Sequence, residues 1–189
     1  MRMWRQLAQL LARWRGDNRG AAVVEFALIL PVMLTLYVGS IEASVLITMD
    51  RKVQSAAGAV GDLVARSDDQ ISADQLRNYF QAASGILSPY SADTLKQVVT
   101  SVQIRKDGTT RVDWSRGFNG GTPRTSFTLP REMKDIVWDR TRDKYIIVAE
   151  ASTAFQPMFG LVFTQAISLH RQSFFMPRFQ GDRIQCVGC

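Results

Sequence analysis

An apolar run near the N-terminus constrains this 189-residue chain more than any other feature. Residues 21–38 carry a single charged side chain, Glu25. A helix of that length extends roughly 27 Å, which is close to the thickness of the hydrocarbon layer of a membrane. The apolar character continues to residue 49 and adds only Glu42. The sequence therefore predicts a transmembrane helix over residues 21–49, with a bend or a local loosening of the helix at Pro31.

Most of the positive charge lies ahead of this run. Residues 1–20 hold five arginines and one aspartate, which is +4 of the total charge of +6. A basic tail before an apolar run predicts a cytoplasmic leader over residues 1–20 and a periplasmic domain over residues 50–189. The first fifteen residues, MRMWRQLAQLLARWR, fit either an amphipathic helix on an anionic membrane surface or a leader that only needs to be basic. With so little charge elsewhere, no nucleic acid is expected as a partner.

The rest of the chain predicts an α+β domain. The apolar helix becomes two-faced after Asp50, so that one very long helix is expected from about residue 21 to 66. Ser72 and Gln75 form a capping box for a second, small helix that Gly85 ends. Asp107-Gly108 marks a β-hairpin, and KYIIVAEASTAFQP and AISLHRQSFFMPRF read as further strands. We expect an antiparallel sheet of three or four strands packed against the long helix.

This chain has few histidine and cysteine residues, the types that most often act in catalysis or metal binding. His170 is the single histidine, and Cys186 and Cys189 are the two cysteines. The chain thus lacks the residues for a four-ligand zinc site, and it shows no nucleophile paired with a base. We expect no enzyme activity, no catalytic residue, no cofactor and no metal. The CxxC of Cys186 and Cys189 indicates a disulfide or an inert tail, with a redox or metal role as the alternative.

The carboxylate of Glu25 needs a partner if it lies at a membrane. An ionised carboxylate near hydrocarbon costs about 2–3 kcal/mol, and no basic residue lies between Arg19 and Arg51. Arg19 could reach toward it from the interface. Alternatively, cleavage between Gly20 and Ala21 would make Glu25 the fifth residue of the mature chain. The new α-amino group of a neighbouring subunit could then pair with it.

The sequence GAAVVEF, residues 20–26, is similar to the prepilin peptidase site of type IV pilin-like proteins. The longer segment RGAAVVEFALILPVMLTLYVGSIEAS resembles the TadE/TadG-like pseudopilins of the tight-adherence (Flp) pilus system. Pro31, Gly39 and Glu42 stand where that pattern has a proline and a glycine followed by a second glutamate. The region of resemblance covers about residues 19–66.

This resemblance implies a pilin-like fold and a minor component that assists assembly of a type IV pilus from the bacterial inner membrane. It implies a processing site at Gly20 and Ala21, and subunit packing through Glu25, Phe26 and Pro31. The partners implied are membrane lipid, a prepilin peptidase, other pilins or pseudopilins, and the pilus assembly platform. Incorporation into the pilus itself is one outcome of such a role.

Two other functions compete with this interpretation. An uncleaved single-pass anchor could hold a periplasmic binding or sensing domain, because some relatives of this kind keep the segment as a plain anchor. A secreted protein behind a signal peptide is disfavoured, because the run is long, contains a charge and continues as an apolar helix.

Overall fold

A computed structural model of the chain describes residues 20–160, 162–178 and 183–189. The leader proposed for residues 1–20 lies outside this range except for Gly20. The contacts between the described residues divide them into two compact units. The anchor unit comprises the first helix up to Ala43 together with the segment Pro157–Thr164, and the domain unit comprises Ser44–Gln156 and Gln165–Cys189.

The first helix, α1, runs from Ala21 to Ala65 without interruption, which confirms the long helix expected from the sequence. It is long and apolar enough to cross a membrane, and its most apolar stretch is not buried inside the protein. Beyond Asp50 the same helix turns one apolar face to the domain core, and its buried residues there include Val53, Ala56, Ala57, Val60 and Val64.

Shorter elements follow α1 along the chain. They are β1 (Gln70–Ser72), α2 (Ala73–Ser84), β2 (Lys96–Ile104), β3 (Thr110–Phe118), α3 (Arg131–Val137), β4 (Lys144–Phe155), β5 (Ile167–Phe175) and β6 (Gln185–Val187). The strands β3-β2-β4-β5, in that order, form an antiparallel sheet, which confirms the predicted α+β class. The pair β1 and β6 forms a second, parallel sheet that the sequence pattern did not predict.

The local signals for α2 act as expected. The Ser72 hydroxyl accepts the backbone N–H of Gln75 at 3.2 Å, and the Gln75 side chain accepts the backbone N–H of Ser72 at 3.1 Å. This reciprocal pair satisfies two donors that the first turn of a helix leaves free. Gly85 caps the other end, so both predicted boundaries of α2 are confirmed.

The four-stranded sheet is covered on both faces within the domain unit. One face packs on α1 and α2 through Val99, Ile147 and Ala149. The opposite face packs on the segment after β3 and on α3 through Val102, Ile146 and Val148. Because neighbouring residues of β4 face two apolar layers, that strand reads as a continuous apolar run rather than an alternating pattern. A single charged residue, Glu150, interrupts it.

Candidate functional site

The proposed processing site lies where α1 begins. Gly20 is exposed and directly precedes the first α-helical residue, Ala21. A Cβ atom built on Gly20 would meet no described atom within 4 Å. A peptidase must draw its substrate into an extended conformation, and a bond at a helix end requires less unwinding than one inside a helix. Cleavage at Gly20 and Ala21 stays a prediction.

Glu25 and Phe26 are exposed on the first turns of α1. Phe26 leaves 63% of its surface free. Among residues 20–160, 162–178 and 183–189, no basic side chain pairs with the carboxylate of Glu25. Arg19, the nearby cation considered from the sequence, lies outside these ranges. The described part of the chain therefore leaves Glu25 open to a partner from outside it.

Pro31 lies inside α1, and the helix continues through it. Proline lacks the N–H that would bond the carbonyl four residues earlier, which weakens the helix locally. One turn later the Thr35 hydroxyl donates to the Pro31 carbonyl at 2.8 Å. A hydroxyl satisfied in this way within its own helix can face lipid at little cost. Roles of Phe26 and Pro31 in subunit packing stay predictions.

The anchor unit contains a contact that the sequence analysis missed. Residues 157–164, here called the 157–164 loop, return to α1 at Glu42, whose side chain is only 2% exposed. Its Oε1 accepts the backbone N–H of Phe159 at 2.8 Å and of Gly160 at 3.0 Å. Two backbone donors thus satisfy one oxygen of this buried carboxylate, while the other oxygen, Oε2, is buried without a hydrogen-bond partner among the described residues.

Gly39 allows the 157–164 loop to approach the helix. A Cβ atom at position 39 would lie 2.9 Å from a methyl carbon of Val162, which is closer than side chains normally pack. Gly39 and Glu42 are three residues apart and therefore share one face of the helix. Gly39 and Glu42, the glycine and the second glutamate noted in the sequence, therefore both contact the same loop.

The C-terminus is tied to the start of the domain. Cys186 and Cys189 form a disulfide across four residues. β6, which contains Cys186, pairs with β1 next to Ser72. The Trp114 indole N–H donates to the Ile184 carbonyl at 2.7 Å, which attaches this tail to the sheet. The disulfide closes the last turn of a segment that is already held by backbone pairing.

A cavity of about 430 Å³ opens on the sheet face opposite α1. Lys96, Ser152 and His170 occupy matching positions on three neighbouring strands and line its floor. Beside them, Glu150 is 5% exposed and accepts two hydrogen bonds from Arg124, from Nε at 2.9 Å and from Nη2 at 2.7 Å. These bonds and the charge of Glu150 raise the pKa of the Arg124 guanidinium. The pair fastens the segment after β3 to the sheet.

No three of the described His, Cys, Asp and Glu residues come close enough together to hold a metal ion. His170 Nε2 is 3.6 Å from a Glu150 oxygen, which is too long for a hydrogen bond. The cavity offers Lys96 and His170 beside the ion pair of Arg124 and Glu150, and such polar side chains suit binding of a polar group.

Comparison with known proteins bears on the N-terminal segment. The model of the TadE-like protein family matches residues 20–61. The matched part of the chain is similar to the TadE-like family. The resemblance predicted from the sequence is confirmed over that range, which contains Gly20, Glu25, Pro31, Gly39 and Glu42. No curated protein and no solved structure gives a match.

The TadE-like match includes both ends of the proposed span and stops inside α1. The matched range thus contains Gly39 and Glu42, the helix residues that contact the 157–164 loop. It includes neither the four-stranded sheet nor the loop itself. The match covers 42 of the 189 residues, so it shows a likeness of this helix to the TadE-like family. The single apolar helix at the N-terminus is compatible with membrane anchoring.

Proposed function

We propose that this chain is a minor pilin-like component, a pseudopilin, that assists assembly of a tight-adherence type IV pilus. The observation that carries the proposal is the TadE-like match over residues 20–61, which includes the exposed apolar stretch of α1. The role is structural rather than enzymatic. The chain sits in the bacterial inner membrane with its N-terminus in the cytoplasm and its domain in the periplasm, in line with the basic leader.

The proposed mechanism is lateral packing of α1 with the spans of other pilins. The helix offers a continuous apolar surface for this purpose, with Val23, Phe26 and Leu36 each more than 60% exposed. Packing alone does not fix how far one helix slides along another, because apolar contacts are similar at neighbouring registers. A charge pair does fix the register of the two helices, because a buried carboxylate without its partner is costly.

Glu25 supplies this charge in the proposal. A prepilin peptidase cleaves between Gly20 and Ala21, and the new α-amino group of a neighbouring subunit pairs with Glu25. At a distance of about 4 Å and an effective dielectric of about 20, such a pair gains about 4 kcal/mol before desolvation is counted. That gain is large enough to offset the cost of about 2–3 kcal/mol for a carboxylate in this region.

A second candidate function is an uncleaved anchor for a periplasmic binding or sensing domain. The cavity lined by Lys96, Arg124 and His170 favours it, because an open pocket with a lysine ammonium and other polar side chains can receive a polar or anionic group. This alternative requires neither processing nor the carboxylate of Glu25.

The N-terminal sequence of the protein recovered from cells separates the two functions. The measurement is made with and without the prepilin peptidase. A start at Ala21 that depends on the peptidase supports the pseudopilin. A start at Met1 supports the uncleaved anchor, and a start near residue 43 would indicate a secreted protein.

The carboxylate is tested by comparing Glu25→Ala with Leu28→Ala in cells that make the pilus. Both variants remove an exposed side chain from the same part of α1, but only the first removes the charge. At equal protein levels, we expect surface pili to be lost in Glu25→Ala and largely kept in Leu28→Ala. Equal piliation in the two variants would contradict the proposed pairing.

A further inference from the structure

The 157–164 loop exposes an unusual amount of apolar surface. Met158, Phe159 and Val162 are 78%, 52% and 46% exposed. The chain has no Asp, Glu, Lys or Arg between Glu150 and Arg171, so no charged side chain of this segment accompanies the loop. Scattered exposed apolar residues are normal on soluble proteins, but three of them in one uncharged loop indicate a surface that is covered in use.

The position of the loop along α1 suggests what covers it. The loop meets the helix at Gly39 and Glu42. From Ala21 to Gly39 the helix extends about 28 Å, which is about the thickness of the hydrocarbon layer. If the span begins at Ala21, the loop surrounds the point where α1 leaves the hydrocarbon on the far side of the membrane.

The backbone hydrogen bonds of the loop suit a position at the membrane surface. An exposed N–H group that enters a membrane loses its hydrogen bonds to water, which is costly. In this loop the N–H groups of Phe159 and Gly160 donate to Glu42 instead. The carboxylate is in turn shielded, since it is 2% exposed. The contact thus removes the charge of Glu42 and two free N–H donors from the surface. The apolar side chains of the loop stay exposed.

We propose that the 157–164 loop is a membrane-interface anchor, whose apolar side chains enter the periplasmic leaflet around the exit of α1. The occupant of this surface is lipid at the boundary between headgroups and acyl chains. Amphipathic segments at that boundary bury their apolar face about 5–10 Å deep. Lipid is favoured over another protein because the loop continues the apolar surface of the span itself, within the same compact unit. This inference rests on the membrane anchoring proposed above.

The test measures the depth of the loop in a bilayer. The full-length chain, in a Cys186→Ser, Cys189→Ser background, receives a single cysteine by Met158→Cys, Phe159→Cys or Leu30→Cys. Each thiol is labelled with an environment-sensitive fluorophore. The protein is placed in vesicles of phosphatidylethanolamine and phosphatidylglycerol, with fewer than one chain per vesicle. Quenching is compared between lipids spin-labelled near the glycerol backbone and lipids spin-labelled near the acyl-chain end.

We expect the labels at positions 158 and 159 to be quenched more strongly, by about twofold, by the shallow spin label than by the deep one, as for a segment at the interface. The label at position 30, in the middle of the span, should show the reverse order. Phe159→Cys keeps the backbone N–H that Glu42 accepts, and Met158 is the most exposed of the three side chains, so neither variant removes a contact that holds the loop.

Three other outcomes overturn the inference in distinguishable ways. If the position 30 label is quenched but the loop labels are not, the membrane anchoring stands and the interface anchor fails. If the position 30 label is also unquenched, the proposed anchoring fails and the inference fails with it. If the loop labels change only when several chains share a vesicle, a second copy covers the loop instead of lipid.

Discussion

Glu42 and Phe159 are 117 positions apart in the chain, and the carboxylate of the first accepts the backbone N–H of the second at 2.8 Å. Helix α1 could present an unpaired acid at this point only at a high cost, because the residue is buried. The loop could not present its backbone donors to a membrane without a similar cost. Each therefore reduces the other's penalty, and the contact joins a distant loop to the helix that is similar to the TadE-like family.

Removal of the Glu42 carboxylate should release the loop. In Glu42→Ala the N–H groups of Phe159 and Gly160 lose their acceptor, and hydrogen bonds to charged groups contribute about 1.5–3 kcal/mol each. We expect hydrogen exchange at these amides to accelerate by about tenfold or more in the full chain reconstituted in vesicles. Glu42→Gln is the matched control, because it retains a carbonyl oxygen as acceptor and should give a smaller change. Unaltered protection in Glu42→Ala would disprove the contact.

Two glycines of α1 should respond in opposite ways to the same substitution. A Cβ atom at Gly61 would lie 2.5 Å from two ring carbons of Phe175 and 3.0 Å from the Cβ of Ala149. Overpacking of this kind costs about 1–3 kcal/mol. At Gly58 the nearest atom, the Ser173 hydroxyl oxygen, is 4.0 Å away, so an added methyl group has room. Alanine there should stabilise the helix by up to about 1 kcal/mol.

The measurement is the thermal unfolding midpoint of the full chain in detergent, followed by circular dichroism. Gly61→Ala should lower the midpoint by several degrees, at about 2–8 °C per kcal/mol for a domain of this size, and Gly58→Ala should leave it unchanged or raise it. An unchanged or higher midpoint in Gly61→Ala would mean that α1 does not pack on β4 and β5 through Gly61.

The helix cap of α2 gives a smaller and purely local effect. Ser72→Ala removes the acceptor for the Gln75 N–H and should cost about 1 kcal/mol in the same unfolding measurement. Asn78→Ala, an exposed substitution in the same helix, is the control, and it should be neutral or slightly stabilising because alanine favours helices more than asparagine does. If the two variants unfold alike, the capping box does not stabilise the domain.

The elements of this fold were predictable where the signal is local. The apolar run defines α1, Ser72 with Gln75 defines the start of α2, and Asp107-Gly108 defines the hairpin of β2 and β3. In each case a few neighbouring residues decide the backbone conformation, through apolar periodicity, capping or turn geometry. The α+β class follows from the order of these elements.

The contacts that were missed all depend on distant parts of the chain. β1 and β6 have three residues each and pair across more than a hundred positions, so neither carries a recognisable strand pattern. The partner of Glu42 is a pair of backbone N–H groups, which leave no mark in a sequence. The available signal, both for Glu42 and for Glu150 within β4, was a single charged residue in an apolar stretch of sequence. Such a residue indicates that a buried partner exists, but it does not show which residue the partner is.

The bidentate pair of Arg124 and Glu150 should stabilise the domain more than an ordinary surface ion pair. Glu150 is 5% exposed, and both of its oxygens accept N–H groups of Arg124. Arg124→Ala would leave a buried carboxylate unpaired. Breaking a fully buried pair costs about 3–5 kcal/mol, and we expect about 2 kcal/mol here because the arginine is half exposed. The measurement is again thermal unfolding of the full chain.

Two comparisons decide whether this loss comes from the buried charge. Adding Glu150→Gln to Arg124→Ala replaces the unpaired carboxylate by a neutral amide and should recover part of the stability. Arg77→Ala removes an arginine from an exposed pair with Asp74, whose atoms are 3.8 Å apart, and should change the midpoint little. If Arg77→Ala and Arg124→Ala have equal effects, or if Glu150→Gln gives no recovery, then Glu150 is not held by Arg124 and the segment after β3 is fastened to the sheet by other contacts.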